Sequence, residues 1–133
     1  MDIMDELQYT NVWKKTNFIQ IENSFINNPK YTPIEKLIYM SLCTYAFQKN
    51  NCYPSHTTLS ENLGVAKPTI IRNLKSLEDK NAILIIKRKK ESNRRIPNLY
   101  ILAEIDNKTG EFISESLDMF RVYKEREVVI KGK

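Results

Sequence analysis

The chain has 133 residues, of which 41 % are hydrophobic and 28 % charged, a composition that predicts one soluble domain with a real core. One histidine and two cysteines are too few for a paired-histidine metal site, a four-ligand zinc site or a disulfide framework. The sequence has no Gly-x-x-x-x-Gly-Lys-Ser/Thr loop for nucleotide phosphates. We therefore expect no enzyme activity, no cofactor and no metal.

The N-terminal sequence is acidic, whereas a signal peptide would begin with basic residues. The longest uncharged run lies within Ile38–Gln48 and contains polar side chains, so it does not predict a membrane span. Together these features predict a cytoplasmic protein that does not associate with membranes.

The positive charge of the chain is confined to one block. The formal net charge is +5, yet residues 1–66 hold five basic and six acidic side chains. Residues 67–95 hold ten basic and three acidic side chains, interleaved with apolar residues at regular spacing. This pattern indicates a folded basic face, which is typical of proteins that bind nucleic acid.

The N-terminal third predicts one short strand and one helix. Residues 1–17 form an acidic segment without a structural assignment, and Phe18–Ile21 is predicted as a brief strand that ends before Asn23. Thr32 as N-cap, Pro33 at the first helical position and Glu35 three residues after the cap predict the start of the first helix. Apolar residues at three- and four-residue steps extend it to about residue 47, with Tyr39, Tyr45 and Phe47 expected in the core.

Two further helices with a tight turn between them follow. Ser55 is the expected N-cap of the second helix, and Gly64 is expected to end it in a left-handed conformation. The third helix is predicted over residues 66–80. Its expected buried face consists of Ile70, Leu74 and Leu77, and its opposite face is mostly polar and cationic.

A basic hairpin completes the pattern. Ala82–Ile86 is predicted as a strand that continues to about Lys89, Lys90–Pro97 as an exposed loop, and Asn98–Leu102 as the return strand. This order of elements predicts an α+β winged helix-turn-helix domain, with three helices and a β-hairpin wing, over residues 18–103.

Residues 104–133 are expected to form a short C-terminal extension. A strand–turn–strand is one interpretation, and a short helix seated by Phe112, Leu117 and Phe120 is another. Val128–Ile130 indicates a last strand or an adhesive tail. Dimerisation through this extension and packing against the domain both remain open.

The motif Leu59-x-x-x-Leu63-Gly64-Val65, followed by Thr69-Ile70-x-Arg72-x-Leu74, resembles the winged helix-turn-helix of bacterial, phage and plasmid DNA-binding proteins. The stretches from Pro33 to Ala46 and from Tyr53 to Ser55 are similar to the N-terminal domain of phage and plasmid replication-organiser proteins of low-GC bacteria. Two positions depart from the usual pattern of this family. Ala66 replaces a serine N-cap, and Asn81 replaces a glycine, although asparagine tolerates the same backbone conformation.

The expected contacts with DNA follow from this arrangement. A helix over residues 66–80 would enter the major groove, with Arg72 contacting guanine or a phosphate, and the basic wing over residues 87–97 would lie on the backbone or in the minor groove. The N-terminus of the second helix could hold a phosphate. The candidate DNA-binding residues are Ser55, His56, Thr57, Lys67, Pro68, Thr69, Arg72, Lys75, Ser76, Lys87, Arg88, Lys89, Lys90, Arg94 and Arg95.

Two functions agree with these features. The first is a sequence-specific binder of double-stranded DNA that acts as a transcription regulator, and the second is an accessory factor in DNA replication or processing. Possible further partners are a second copy of the chain, as a homodimer, and replication or regulatory proteins. The alternative from another class is a winged helix that binds proteins without specific DNA binding.

Overall fold

The computed structural model describes residues 19–46, 49–92, 94–104, 113, 122 and 127–130. This part of the chain forms four helices and four strands. In chain order they are α1 (Asn23–Ile26), α2 (Pro33–Ala46), β1 (Asn51–Cys52), α3 (His56–Leu63), α4 (Lys67–Asp79), β2 (Ile83–Lys90), β3 (Arg95–Leu102) and β4 (Glu127–Ile130).

The first long helix begins with the predicted capping box. The Thr32 hydroxyl accepts a hydrogen bond from the Glu35 backbone N–H at 3.2 Å, and the Thr32 N–H donates to Glu35 Oε1 at 2.8 Å. Two N–H groups that the first helical turn would otherwise leave unpaired are thus satisfied reciprocally. Within the described residues the helix extends to Ala46, and its predicted end at Phe47 lies outside them.

The strands form one sheet in the order β1-β3-β2-β4. β1 and β2 both pair antiparallel with β3, and β4 pairs parallel with the outer half of β2. The register of β2 and β3 shifts between Ile86 and Arg88, where Pro97 and Asn98 of β3 lie opposite Lys87 alone. This bulge accommodates Pro97, which has no N–H to donate, inside a strand. The predicted loop over residues 90–97 was therefore too long, since β3 already begins at Arg95.

The three long helices and the sheet share one core. Ile38 and Leu42 of α2, Leu59 of α3 and the predicted stripe of α4 are all buried. The sheet contributes buried side chains from both β2 and β3, with Tyr100 the largest. The helical spacing of α4 predicted three core residues, and the structure confirms that Ile70, Leu74 and Leu77 are buried.

Two further local predictions were wrong. Ile19–Ile21 is not a strand, and α1 begins at Asn23, where the strand was predicted to end. This helix exists because Phe25 is fully buried against the rings of Tyr31 and Tyr39, a contact with residues distant from it along the chain. Tyr45 is 40 % exposed rather than in the core, and its hydroxyl accepts a hydrogen bond from Asn62 of α3. Phe47 and residues 1–17 lie outside the described residues.

The C-terminal extension contributes at least one strand to the sheet. β4 confirms the strand predicted near Val128–Ile130, and it lies along β2 from Lys87 to Lys90. Phe112, Leu117 and Phe120 lie outside the described residues. Within the described part of the chain, no helix has the length and apolar character needed to cross a membrane.

Candidate nucleic-acid interface

The turn between α3 and α4 has a left-handed residue at its start. The Ser55 hydroxyl accepts the Thr58 N–H at 3.0 Å and caps the N-terminus of α3, as predicted. Gly64 ends α3 with a φ of 65° and its N–H bonds the Ser60 carbonyl. The Ser60 hydroxyl then donates to the Val65 carbonyl at 2.7 Å. These local bonds fix the direction in which α4 leaves α3.

Asn81 ends the other side of α4 in the same way. Its φ is 63°, the left-handed conformation predicted for this position. The following Ala82 N–H donates to the Leu77 carbonyl at 2.9 Å, which closes the end of α4 and begins β2. Asparagine thus takes the place of the usual glycine without changing the path of the chain.

The outer side of α4 carries a group of exposed side chains that we call the recognition face. Because Ile70, Leu74 and Leu77 face the core, the residues on the opposite side of the helical wheel face solvent. Thr69 is half-buried beside this face, and its carbonyl accepts a hydrogen bond from the Asn73 side chain. The recognition face consists of Lys67, Pro68, Ile71, Arg72 and Lys75.

Lys75 of the recognition face forms two ion pairs with carboxylates of its own helix. Its ammonium lies 3.0 Å from Glu78 and 3.5 Å from Asp79. The hydrogen bond that Lys75 donates to Glu78, with the negative charges of both carboxylates, raises the pKa of Lys75 above its ordinary value. Glu78 is itself buried, and its other oxygen accepts the Ile85 N–H at 3.0 Å. The carboxylate of Glu78 therefore joins α4 to β2 and also pairs with Lys75 on its own helix.

Ser76 does not lie on the recognition face. Its hydroxyl donates to Glu35 Oε2 at 2.7 Å, across the interface between α4 and α2. The wheel angle of Ser76 separates it from the apolar stripe, but α2 covers that side of α4 as well. Because the Ser76 hydroxyl is bonded to Glu35 inside the protein, we leave Ser76 out of the proposed DNA contacts.

A cavity of about 320 Å³ opens at the N-terminus of α3, and we call it the α3 cavity. The Thr58 N–H already donates to the Ser55 hydroxyl. The backbone N–H groups of His56 and Thr57 are therefore the donors of the first helical turn nearest this opening. The lining of the α3 cavity includes residues of α3, α4 and β3. The candidate residues that it brings together are Ser55, His56, Thr57, Lys67 and Arg95.

His56 is neutral at neutral pH in this setting. Burial lowers the pKa of the imidazole, and the positive charge of Lys67 lowers it further. A neutral imidazole can still donate one hydrogen bond to a phosphate oxygen. An anion at this position would favour the protonated form, so His56 couples the site to pH.

The alternation of side chains along the wing divides its cations between two sides. Lys87 lies beside α4 in a groove of about 530 Å³, which we call the helix–wing groove. Lys89 follows on the same side and pairs with Arg95, which lines the α3 cavity. Arg88 lies on the opposite side, where its guanidinium stacks 5.1 Å from the Tyr53 ring and its Nε donates to the Pro97 carbonyl.

Arg88 and Lys90 are therefore separated from the side that carries α4. Because side chains alternate along a strand, Lys90 lies on the same side of β2 as Arg88. The Lys90 backbone N–H donates to the Arg94 carbonyl. The Arg94 side chain is exposed in the turn of the wing. Since Arg88 is already held by two groups of its own domain, we leave it out of the proposed contacts.

Two residues of this surface were missed by sequence reasoning. Ile71 stands beside Ile70, and adjacent helical residues differ by about 100°, so only one of the pair can face the core. That signal was present in the sequence. Asn98 lines both the α3 cavity and the helix–wing groove. Its position depends on the bulge at Pro97, which no spacing in the sequence indicates.

The described residues contain no group of three or more metal-ligating side chains. The two thiols are set in apolar surroundings rather than at an exposed site. Burial raises the pKa of Cys43 to about 11 and that of Cys52 to about 12. Both remain protonated at neutral pH, which makes them poor nucleophiles.

The comparisons with known proteins agree with the geometry of α2, α3 and α4. Residues 32–83 match the family model described as a helix-turn-helix domain. No curated protein and no solved structure shows significant similarity to the chain. The match spans the capping box, the Gly64 turn, α4 and the first residue of β2. Residues 32–83 are therefore similar to a helix-turn-helix domain, and together with the β2–β3 hairpin they have the architecture of a winged helix.

Proposed function

We propose that the protein is a sequence-specific binder of double-stranded DNA of phage or plasmid type that acts in the cytoplasm. The observation that carries this proposal is the common orientation of two cationic surfaces and one helix N-terminus. The recognition face of α4, the N-terminus of α3 and the inner side of the wing open to the same side of the domain, joined by the two cavities. A helix-turn-helix domain supports DNA as the partner.

In this arrangement α4 lies in the major groove and presents Arg72 to the base edges. Arginine can donate two parallel hydrogen bonds to guanine, an interaction that contributes about 1–3 kcal/mol to discrimination between bases. Lys67 and the N–H groups of the α3 cavity hold one phosphate beside this groove. Lys87, Lys89 and Arg95 follow the adjacent backbone, while exposed Arg94 at the tip of the wing reaches the minor groove.

The biological role that we propose is transcription regulation or an accessory function in DNA replication or processing. Both roles need a marked DNA site and neither needs catalysis. Self-association through residues 104–133 stays a prediction, as does recruitment of other proteins by the same extension. The pairing of β4 with β2 shows that four of these residues add a strand to their own domain.

The test is selection of bound sequences from random duplex DNA at two salt concentrations. Binding that yields a sequence motif at the higher salt is the expected result. Binding without a motif, lost steeply with salt, would contradict groove reading. An absence of binding at both salt concentrations would favour the alternative of a protein-binding winged helix.

Variants then separate base contacts from phosphate contacts. We expect Arg72→Ala to weaken binding mainly to the selected motif. The double change Arg94→Ala and Arg95→Ala should weaken motif and random DNA alike, and should reduce the slope of log affinity against log salt by about two. Lys49→Ala is the matched control, since it removes an exposed cation from the loop after α2. Equal loss of motif and random binding in Arg72→Ala would place the base-reading surface elsewhere.

A further inference from the structure

Ile71 is an aliphatic side chain on a surface that is otherwise suited to water and phosphate. It is 45 % exposed, although isoleucine is usually buried in folded proteins. Among the described residues of α4 it is the one large hydrophobic side chain with such exposure. On the helix it lies one turn from Lys67 and one turn from Lys75, which places it within the recognition face.

The groove beside Ile71 combines apolar and charged side chains. Ile71, Leu74 and Ile85 line the helix–wing groove together with Lys75, Glu78 and Lys87, and Lys75 is paired with Glu78. The polyanionic backbone of DNA would be attracted to the ammonium of Lys87, and an apolar group would be favoured against the aliphatic side chains. The helix–wing groove therefore suits a ligand that presents a small apolar group next to negative charges.

Duplex DNA offers one apolar group in its major groove, which is the C5-methyl of thymine. The other groups on the base edges are hydrogen-bond donors and acceptors, and these have no partner on an isoleucine. A side chain beside Arg72 reads a base pair close to the one that Arg72 reads, because neighbouring helical residues are separated by 1.5 Å along the axis.

We propose that Ile71 is a specificity-determining residue that selects thymine, by packing against its C5-methyl, at a position next to the base pair contacted by Arg72. This inference rests on the proposed function, because it requires α4 to lie in the major groove. It predicts a thymine in the DNA motif whose contribution comes from the methyl group rather than from hydrogen bonds.

The experiment replaces thymines of the selected motif one at a time by deoxyuridine, which differs only by lacking that methyl. For the wild-type protein, one substitution should weaken binding about fourfold, the effect expected when one methyl group is no longer buried. Ile71→Ala should bind the thymine duplex about fourfold more weakly and should not distinguish it from the deoxyuridine duplex. Ile71→Val should give an intermediate ratio.

Leu37→Ala is the control, because Leu37 is a partly exposed aliphatic residue on α2, outside the recognition face. It should retain the full thymine preference of the wild type. Thermal unfolding of each variant shows that it is folded before binding is compared. If the wild type shows no deoxyuridine effect, or if Ile71→Ala and Ile71→Val keep it, the thymine contact is overturned while DNA binding stands. If no motif is recovered, the proposed function itself fails.

Discussion

The buried carboxylate of Glu35 provides the most quantitative test of the structure. Glu35 is 1 % exposed and lies between α2 and the C-terminal end of α4. Its oxygens accept hydrogen bonds from the Thr32 N–H at 2.8 Å, the Ser76 hydroxyl at 2.7 Å and the Lys80 ammonium at 2.7 Å. The same ammonium donates to the Lys30 carbonyl at 2.7 Å. We change Glu35 to alanine and expect the end of the recognition helix to lose its attachment to α2.

The expected loss of stability follows from the Lys80 ammonium, which Glu35→Ala leaves without its carboxylate partner. Breaking a buried ion pair from one side costs about 3–5 kcal/mol. Lys80 is 35 % exposed in its side chain, so water can solvate part of its charge, and the lower end applies. We expect the free energy of unfolding to fall by about 3 kcal/mol. In a domain of this size that corresponds to a decrease in Tm of about 12 °C.

The effect also depends on pH with a defined sign. Burial alone would raise the pKa of Glu35, but the bonds from Lys80, Thr32 and Ser76 outweigh it and hold the pKa below its ordinary value of 4.5. The unfolded chain therefore binds a proton before the folded protein does. The stabilisation is complete above the ordinary pKa and is lost as the pH falls through the lower folded value.

Urea unfolding followed by circular dichroism, at neutral and at acid pH, measures the loss of unfolding free energy in Glu35→Ala and the change of this loss with pH. Glu61→Ala is the matched control, because Glu61 is an exposed carboxylate on α3 and its removal should change stability by less than about 0.5 kcal/mol. The difference between wild type and Glu35→Ala should shrink in acid. A loss at neutral pH as small as that of Glu61→Ala would refute the assigned network.

Three further predictions concern single positions. Ser76→Ala should lower the free energy of unfolding by about 1–2 kcal/mol in urea titrations, and it should leave the ratio of motif to random DNA binding unchanged; a changed ratio would return Ser76 to the recognition face. DNA affinity should rise as the pH falls from about 7 to about 5.5, because a bound phosphate favours protonated His56, and fluorescence anisotropy should show no such rise for His56→Gln, since the chain holds one histidine. Gly64→Ala should cost about 1 kcal/mol from its left-handed backbone alone, since a Cβ there would meet nothing within 4 Å; an unchanged urea midpoint would contradict the assigned turn.

The lower stability of the folded state in acid has a second source in His56. Its pKa is lowered by burial first and by Lys67 second, so the unfolded chain protonates this residue before the folded protein does. The free energy of unfolding therefore declines as the pH falls through the ordinary histidine value. In the complex with DNA the sign is opposite, which separates the two effects experimentally.

The sequence by itself determined the elements that depend on local rules. The capping box at Thr32, the left-handed residues Gly64 and Asn81, and the apolar stripe of α4 are set by neighbours within four residues, and each was found where it was predicted. Local backbone geometry and helical periodicity determine such features, so composition and spacing suffice to predict them.

The tertiary structure alone decided which polar side chains face outward. Ser76 and Arg88 belong to basic or polar runs, yet one is bonded to Glu35, 41 positions away, and the other stacks on Tyr53. The bulge at Pro97 shifts the register of β3, and Arg95 beyond it lines the α3 cavity beside His56. The contacts between α4 and α2 and across the sheet join residues distant in sequence, and no local pattern encodes the direction from which a distant element will cover a side chain.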